Sequence, residues 1–183
     1  MISIVGPTGA GKTALALKLS KNLPINVISA DSRQVYKYMD IGTAKPTKEQ
    51  RNKLTHYLVD YINPDEKYNL NKFIIDSHYY INKIKNKKNI PLIVGGTGLY
   101  IWALIDNWSL PDVGPNEKFR TKLENNIKNF GAVYIKNNFI DKVGSDLSEN
   151  YDLNNTRRLI RYLEIINEVG IEKFLQSSKS KNE

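Results

Sequence analysis

Gly6-Pro7-Thr8-Gly9-Ala10-Gly11-Lys12-Thr13 fills every fixed position of the pattern G-x-x-x-x-G-K-[ST]. Glycines at these places let successive backbone N–H groups turn inward as a nest for anionic oxygens. A helix starting at Lys12 adds its positive N-terminal end. Lys12 then reaches a phosphate, and the Thr13 hydroxyl can ligate Mg²⁺. A chance match to this pattern in such a chain is rarer than about one in fifty. All eight residues therefore belong to one phosphate or diphosphate site. A second turn of similar make-up, Gly95-Gly96-Thr97-Gly98, follows the apolar run Pro91 to Val94. A kinase or ATPase with such a loop carries an acid at the end of a later strand to hold its metal, and no acid stands here. Two glycine turns at the ends of two strands instead face one crevice and can hold a diphosphate from both sides. A third polar turn, Asp31-Ser32-Arg33-Gln34, follows Val27 to Ala30. Asp31 there serves either as a cap for its own turn or as a general base. Thr97 has the same ambiguity, as a helix cap or as a hydroxyl facing the crevice.

The elements that must position these turns follow from periodicity. Ile2 to Val5, Val27 to Ala30, Tyr57 to Val59 and Pro91 to Val94 are continuous apolar runs, suited to strands covered on both faces. Thr13 to Leu23 puts Leu15, Leu19 and Leu23 on one helical face. Leu70 to Lys85 does the same with Phe73, Ile74, Ser77, Ile81 and Ile84. Strands alternating with helices predict an α/β fold, a parallel sheet flanked by helices as in P-loop NTPases. The cluster from Leu110 to Pro115 is a boundary. Beyond it Asn116 to Asn129, Ala132 to Val143 and Asn154 to Val169 predict helices, with Gly131 and Gly170 as C-terminal caps. The expected domains are an α/β core over 1–110, incomplete as it stands, and an all-helical insertion-type module over 111–183. The tail from Gln176 to Glu183 is expected to fray.

Composition excludes several classes. The 183 residues hold no cysteine, so disulfides and thiolate metal sites are ruled out. No apolar run is long enough to span a membrane. The chain opens directly on a strand with no signal peptide, so a cytoplasmic protein is expected. The net charge of +8 comes from 21 Lys against 6 Arg, alongside 21 Asn. Codon bias of an AT-rich genome explains such a mixture, so the charge alone does not call for nucleic acid, although it attracts anions. His56 and His78 have no metal-ligand company and are expected as packing or surface residues. Trp102 and Trp108 are expected in the core. Arg157, Arg158 and Arg161 put half of the scarce arginines within five positions; a solvated basic face is the ordinary explanation, and phosphate binding the sharper one.

In order along the chain, GPTGAGKT, ADSRQVYKYMDIGTAKP, THYLVD, YNLNKF and PLIVGGTGLY resemble the tRNA dimethylallyltransferase (tRNA isopentenyltransferase) family. The likeness is specific up to about Leu110 and weaker through GPNEKFR and NNTRRLIRYLEI. It implies transfer of a dimethylallyl group from dimethylallyl diphosphate to N6 of the adenosine 3′ of the tRNA anticodon, with Mg²⁺. The loop Gly6 to Thr13 then holds the donor's diphosphate where other P-loop proteins bind ATP. The resemblance makes Asp31 the base on the adenine amine and Thr97 the hydroxyl on the bridging oxygen, with Lys12 beside the leaving group. It gives Asp31, Ser32, Arg33, Gln34 and Thr97 contacts to the target nucleotides. Arg120 and the run Arg157, Arg158, Leu159, Ile160 and Arg161 become contacts to the anticodon stem-loop.

Gln34 carries both a donor and an acceptor for an adenine edge. Members of the family are longer, returning from the helical insertion to complete the core. A monomer is expected, weakly active or inactive as this chain alone. Three other readings stay open: an adenylate isopentenyltransferase acting on a free nucleotide, a P-loop kinase of a small metabolite, and a non-catalytic RNA-binding fragment.

Overall fold

The computed structural model describes residues 2–108 and 110–179, and the chain divides into two compact units after Trp108. The first unit is built on four parallel strands, β1 (Ile2–Val5), β2 (Ile25–Ala30), β3 (His56–Tyr57) and β4 (Ile90–Gly95), in the order β1-β4-β2-β3. Ile2 stands opposite Leu92, and Ile25 opposite Ile90. Because every strand points the same way, the turns leaving β1, β2 and β4 emerge side by side along one edge of the sheet.

Helices cover both faces. On one side α3 (Leu70–Asn86) and α4 (Gly98–Ile105) bury Phe73, Ile84 and Ile101 against Ile28 and Ile93. The five residues expected on the inner face of α3 are all buried, and Phe73 stacks on Tyr100 at 4.2 Å between ring centres. Each such burial stabilises by roughly 1.5–3 kcal/mol. On the other side α1 (Lys12–Leu19) sets Ala16 against Val27 and Leu92.

Several details depart from the sequence reading. Helix α1 stops at Leu19 rather than Leu23. The Ser20 hydroxyl donates to the Leu17 carbonyl, and Leu23 precedes Pro24, which disfavours helical backbone. Its buried residue is Ala16, while Leu15 is 46% exposed. Strand β3 covers His56 and Tyr57 rather than Tyr57 to Val59. Leu58 and Asp60 adopt φ of 60° and 52°, which carries the chain out of the ladder. Strand β1 is the outer strand with β4 as its neighbour, and Ile2 and Val5 are exposed rather than covered. Trp102 lies on the exposed side of α4 and not in the core. A short helix, α2 (Lys48–Lys53), was not foreseen; Thr47 and Gln50 open it with a reciprocal capping box.

The second unit is helical, with α5 (Glu117–Phe130), α6 (Ala132–Val143), α7 (Ser145–Ser148), α8 (Thr156–Val169) and α9 (Ile171–Lys179). Leu123, Ile135, Phe139, Leu159, Leu163 and Phe174 form its core. Gly131 and Gly170 end α5 and α8 as expected, with φ of 78° and 84° that suit glycine. Asn116 and Asn155 cap the starts of those two helices by accepting backbone N–H bonds. Where a frayed tail from Gln176 was expected, α9 continues to Lys179; residues 180–183 lie outside the described part. Among the described residues no helix is long and apolar enough to cross a membrane.

Candidate functional site

Three turns are tied together at the C-terminal edge of the sheet. The Gly6 N–H donates to the Gly95 carbonyl at 3.4 Å, joining the first loop to the end of β4. The Thr97 N–H donates to the Ala30 carbonyl at 3.2 Å, and the Ser32 N–H donates to the Thr97 Oγ1 at 3.2 Å. The second glycine turn is therefore stitched on both sides. Below these turns lies a cleft of about 270 Å³ whose walls include Lys12, Thr13, Ser29, Asp31, Gln34 and His56.

Within the first loop Gly9 and Gly11 take φ of 85° and 79°, the left-handed backbone that turns N–H groups inward. The Lys12 ammonium donates to the Gly6 and Pro7 carbonyls at 2.9 and 2.7 Å, so the cation is held over the loop it would share with a phosphate. Thr13 lines the cleft one residue on.

Asp31 takes the first of the two roles open to it from sequence, the cap. Its Oδ1 accepts the N–H groups of Arg33 and Gln34, at 2.9 and 3.3 Å, and so caps the turn. That leaves Oδ2 for a ligand. Thr97 precedes α4 without a side-chain cap bond. Its oxygen accepts from Ser32 instead, and the hydroxyl proton stays available for a ligand oxygen.

Gln34 corrects the expectation that its amide reads an adenine edge. Its Oε1 accepts from the Ser29 hydroxyl, and its Nε2 donates to the carbonyls of Thr43 and Ala44 at 3.0 and 3.1 Å. Gln34 thus braces the segment Gly42 to Pro46 against the end of β2. Lys45, within that segment, is 3% exposed and donates to the Tyr36 carbonyl, Asp40 and Asp60; Arg51 also grips Asp60 at 2.6 Å. Spacing gave no hint of this strap, because the partners lie up to 15 residues apart in a loop without periodicity. Replacing Lys45 by Met is expected to destabilise the first unit by about 2 kcal/mol, since the Tyr36 carbonyl loses its donor and Asp60 keeps only Arg51, while the exposed Asp40 returns to water. Urea unfolding followed by circular dichroism measures this, and an unmoved midpoint would show the strap to be ornamental.

The IPP transferase family model matches residues 34–183. The chain belongs to the IPP transferase family. It is 38% identical over 174 residues to the tRNA dimethylallyltransferase of Dehalococcoides mccartyi, covering 94% of this chain and 53% of that one. It is 42% identical over 165 residues to that of Caldicellulosiruptor saccharolyticus, covering 90% and 53%. Among solved structures, the full-length tRNA isopentenylpyrophosphate transferase of Bacillus halodurans matches with a TM-score of 0.59 and 38% identity, over 92% of this chain and 55% of that one. A eukaryotic dimethylallyltransferase described as acting on tRNA matches with a TM-score of 0.78 and 27% identity, over 100% and 44%. The chain spans about half the length of the curated relatives it matches. The P-loop-type parallel sheet read from the sequence is thus the IPP transferase fold.

In the second unit of this IPP transferase chain the arginines separate into two groups. Arg157 and Arg158 are exposed near the start of α8, with Arg158 only 3.7 Å from Asp152 in a solvated pair. Arg120 and Arg161 turn inward onto Glu164, whose side chain is 2% exposed. Arg120 binds both carboxylate oxygens at 2.8 Å, and Arg161 binds Oε2 while donating a second bond to the Val113 carbonyl. Leu159, read as an RNA contact, is 1% exposed and sits in the helical core, so its side chain does not present a surface; Ile160 is half-buried against the same core. His56, read as a packing or surface residue, lines the cleft.

Proposed function

We propose that this chain carries the donor and base sites of a tRNA dimethylallyltransferase, which moves a dimethylallyl group from its diphosphate to N6 of the adenosine 3′ of the anticodon. One observation carries the reading: Lys12, Thr13 and Asp31, the last with one carboxylate oxygen left over from its turn, line the same cleft. A leaving diphosphate and an attacking amine must meet in one such cleft.

Adenine N6 attacks C1 of the dimethylallyl group while the C1–O bond breaks. The bonding electrons leave with the diphosphate, and one N6 proton passes to Asp31 Oδ2. An exocyclic adenine amine is a poor nucleophile because its lone pair is delocalised, so removal of the proton as the bond forms lowers the barrier. Lys12, the loop N–H groups turned inward around Gly9 and Gly11, and the Thr97 hydroxyl take up the charge on the leaving group. Mg²⁺ would be held beside Thr13, a hard oxygen donor next to the diphosphate nest. When bound, the ion neutralises developing charge on the diphosphate. Exposed Arg33, Arg157 and Arg158 supply guanidinium forks for RNA phosphates.

The test is the chain incubated with labelled dimethylallyl diphosphate and an anticodon stem-loop. Slow labelling of RNA is expected from this chain alone, with Asp31→Ala lowering the rate at least about a hundredfold further while inorganic diphosphate binds within twofold of wild type. Label in AMP, ATP turnover without label, or an active Asp31→Ala would each overturn the assignment.

A further inference from the structure

Most polar side chains around the cleft are already spent on the protein itself. Gln34 is used up on Ser29, Thr43 and Ala44; Gln50 Oε1 on the Thr47 N–H; Asp31 Oδ1 on its own turn. His56 differs. It stands on β3 opposite Val27 of β2, and Val27 and Ser29 line the same cleft as His56. Its Nδ1 lies 2.6 Å from the Leu54 carbonyl oxygen, two residues back. A carbonyl oxygen only accepts, so Nδ1 carries the proton. That fixes the tautomer and the ring, and leaves Nε2 with a bare lone pair. Burial lowers the imidazole's pKa; the Leu54 bond works against that and nearby Arg51 reinforces it, so the ring is neutral at physiological pH. Among the hydrogen bonds of the described residues none involves Nε2.

A fixed, neutral acceptor is an unusual thing to keep in a diphosphate cleft. It cannot bind a phosphate oxygen, because both atoms present lone pairs. Its lone pair can take a group that carries a hydrogen or a borderline metal ion; the hard Mg²⁺ prefers oxygen ligands, which leaves the hydrogen donors. Granting the prenyl-transfer reading, two such donors enter the cleft: a water on the divalent cation beside Thr13, and the exocyclic amine of the base. Both offer the same chemistry to Nε2.

We propose that His56 is a specificity-determining hydrogen-bond acceptor of the cleft, its Nε2 taking a hydrogen from a donor on the bound substrates, either cation-bound water or the acceptor's exocyclic amine. This assigns His56 a task that Asp31 does not perform. Asp31 receives a proton and changes charge, whereas His56 stays neutral and selects for a donor.

His56→Phe removes the acceptor, and His56→Gln restores one at similar reach. Binding of inorganic diphosphate to the 183-residue chain is measured with Mg²⁺ and with a chelator. Binding of two stem-loop RNAs, with adenosine or inosine at the target position, is measured by fluorescence anisotropy with diphosphate present. Thermal melts check that each variant folds. A lost hydrogen bond corresponds to roughly a three- to tenfold change in affinity. Cation-bound water as the partner predicts that His56→Phe loses the Mg²⁺ enhancement by that factor and keeps the metal-free affinity. The amine as partner predicts that the preference for adenosine over inosine falls by that factor instead. In either case His56→Gln retains most of the wild-type behaviour. A folded His56→Phe with both differences within twofold of wild type overturns the proposal, as does a His56→Gln that behaves like Phe. If wild type binds no diphosphate under any condition, the reading of the cleft falls first and this proposal with it.

Discussion

Gly95→Ala is expected to unfold the first unit at ordinary temperature or to leave it without a working cleft. A methyl group at this position would stand 2.1 Å from the Ala30 carbonyl oxygen and 2.5 Å from its carbonyl carbon. Both atoms are backbone of β2, paired with β4 along six residues. They cannot rotate away as the end of a side chain would. The same oxygen accepts the Thr97 N–H, and Ala30 is the residue before Asp31. Relief of the clash therefore pushes apart the two central strands and moves the base and the second glycine turn together. Overpacking in a core costs typically 1–3 kcal/mol, and the rigidity of this pair puts the change at about 3 kcal/mol or above. Urea unfolding of the purified variant gives the stability, and inorganic diphosphate binding below the transition gives the state of the cleft. A wild-type midpoint with wild-type binding would mean that β2 and β4 are looser than their pairing indicates.

That constraint was invisible in the sequence, where Gly95 and Gly96 look equivalent. A Cβ on Gly96 would meet the Gly6 carbonyl oxygen at 3.1 Å, a contact that small shifts relieve. What the sequence did carry was local. Gly9 and Gly11 announced their left-handed backbone through a fixed motif. The α3 face followed from a 3.6-residue period, down to the inclusion of Ser77. Gly131 and Gly170 marked the ends of their helices because few other residues take φ near 80° cheaply. Even α9 was within reach, since Ile171, Phe174 and Leu175 repeat at helical spacing. What failed was anything set by a distant partner. Gln34 has the right groups for a base edge, but the carbonyls of Thr43 and Ala44 claim them first. His56 gave no signal, because its meaning lies in a carbonyl that fixes one nitrogen and a cleft that receives the other. Arg120 and Arg161 read as contacts to the anticodon stem-loop, and the cluster they form was hidden because Glu164 is 44 residues from Arg120.

Glu164 is the residue on which the second unit most depends. Its carboxylate collects four hydrogen bonds, two from Arg120, one from Arg161 and one from the Asn116 N–H, while Arg161 reaches on to the Val113 carbonyl. The chain entering the unit, the start of α5 and the middle of α8 are thereby fastened at one point. Burial pushes the carboxyl pKa up, and the bonds from Arg120, Asn116 and Arg161 outweigh it, holding the value at about 2 against 4.5 for a free side chain. A depressed carboxyl contributes stability that is complete above pH 4.5 and is lost as the pH falls through about 2. At about 1.4 kcal/mol per pKa unit the contribution is on the order of 3 kcal/mol. Glu164→Gln keeps the shape and removes the charge, leaving two guanidinium groups against a neutral amide. Its cost is expected at about 3 kcal/mol near neutral pH, because breaking one side of a buried ion cluster leaves the other uncompensated. The variant should also lack the wild type's fall in stability between pH 4.5 and 2, so the two curves converge in acid. Urea midpoints of both proteins across that range test it, with hydrogen exchange at α5 and α8 locating the change in the second unit. Parallel curves at every pH would show that the arginines are held by packing and not by the carboxylate. Convergence would show that Arg120 and Arg161 act as structural partners of the carboxylate, fixing the helix that carries Arg157 and Arg158.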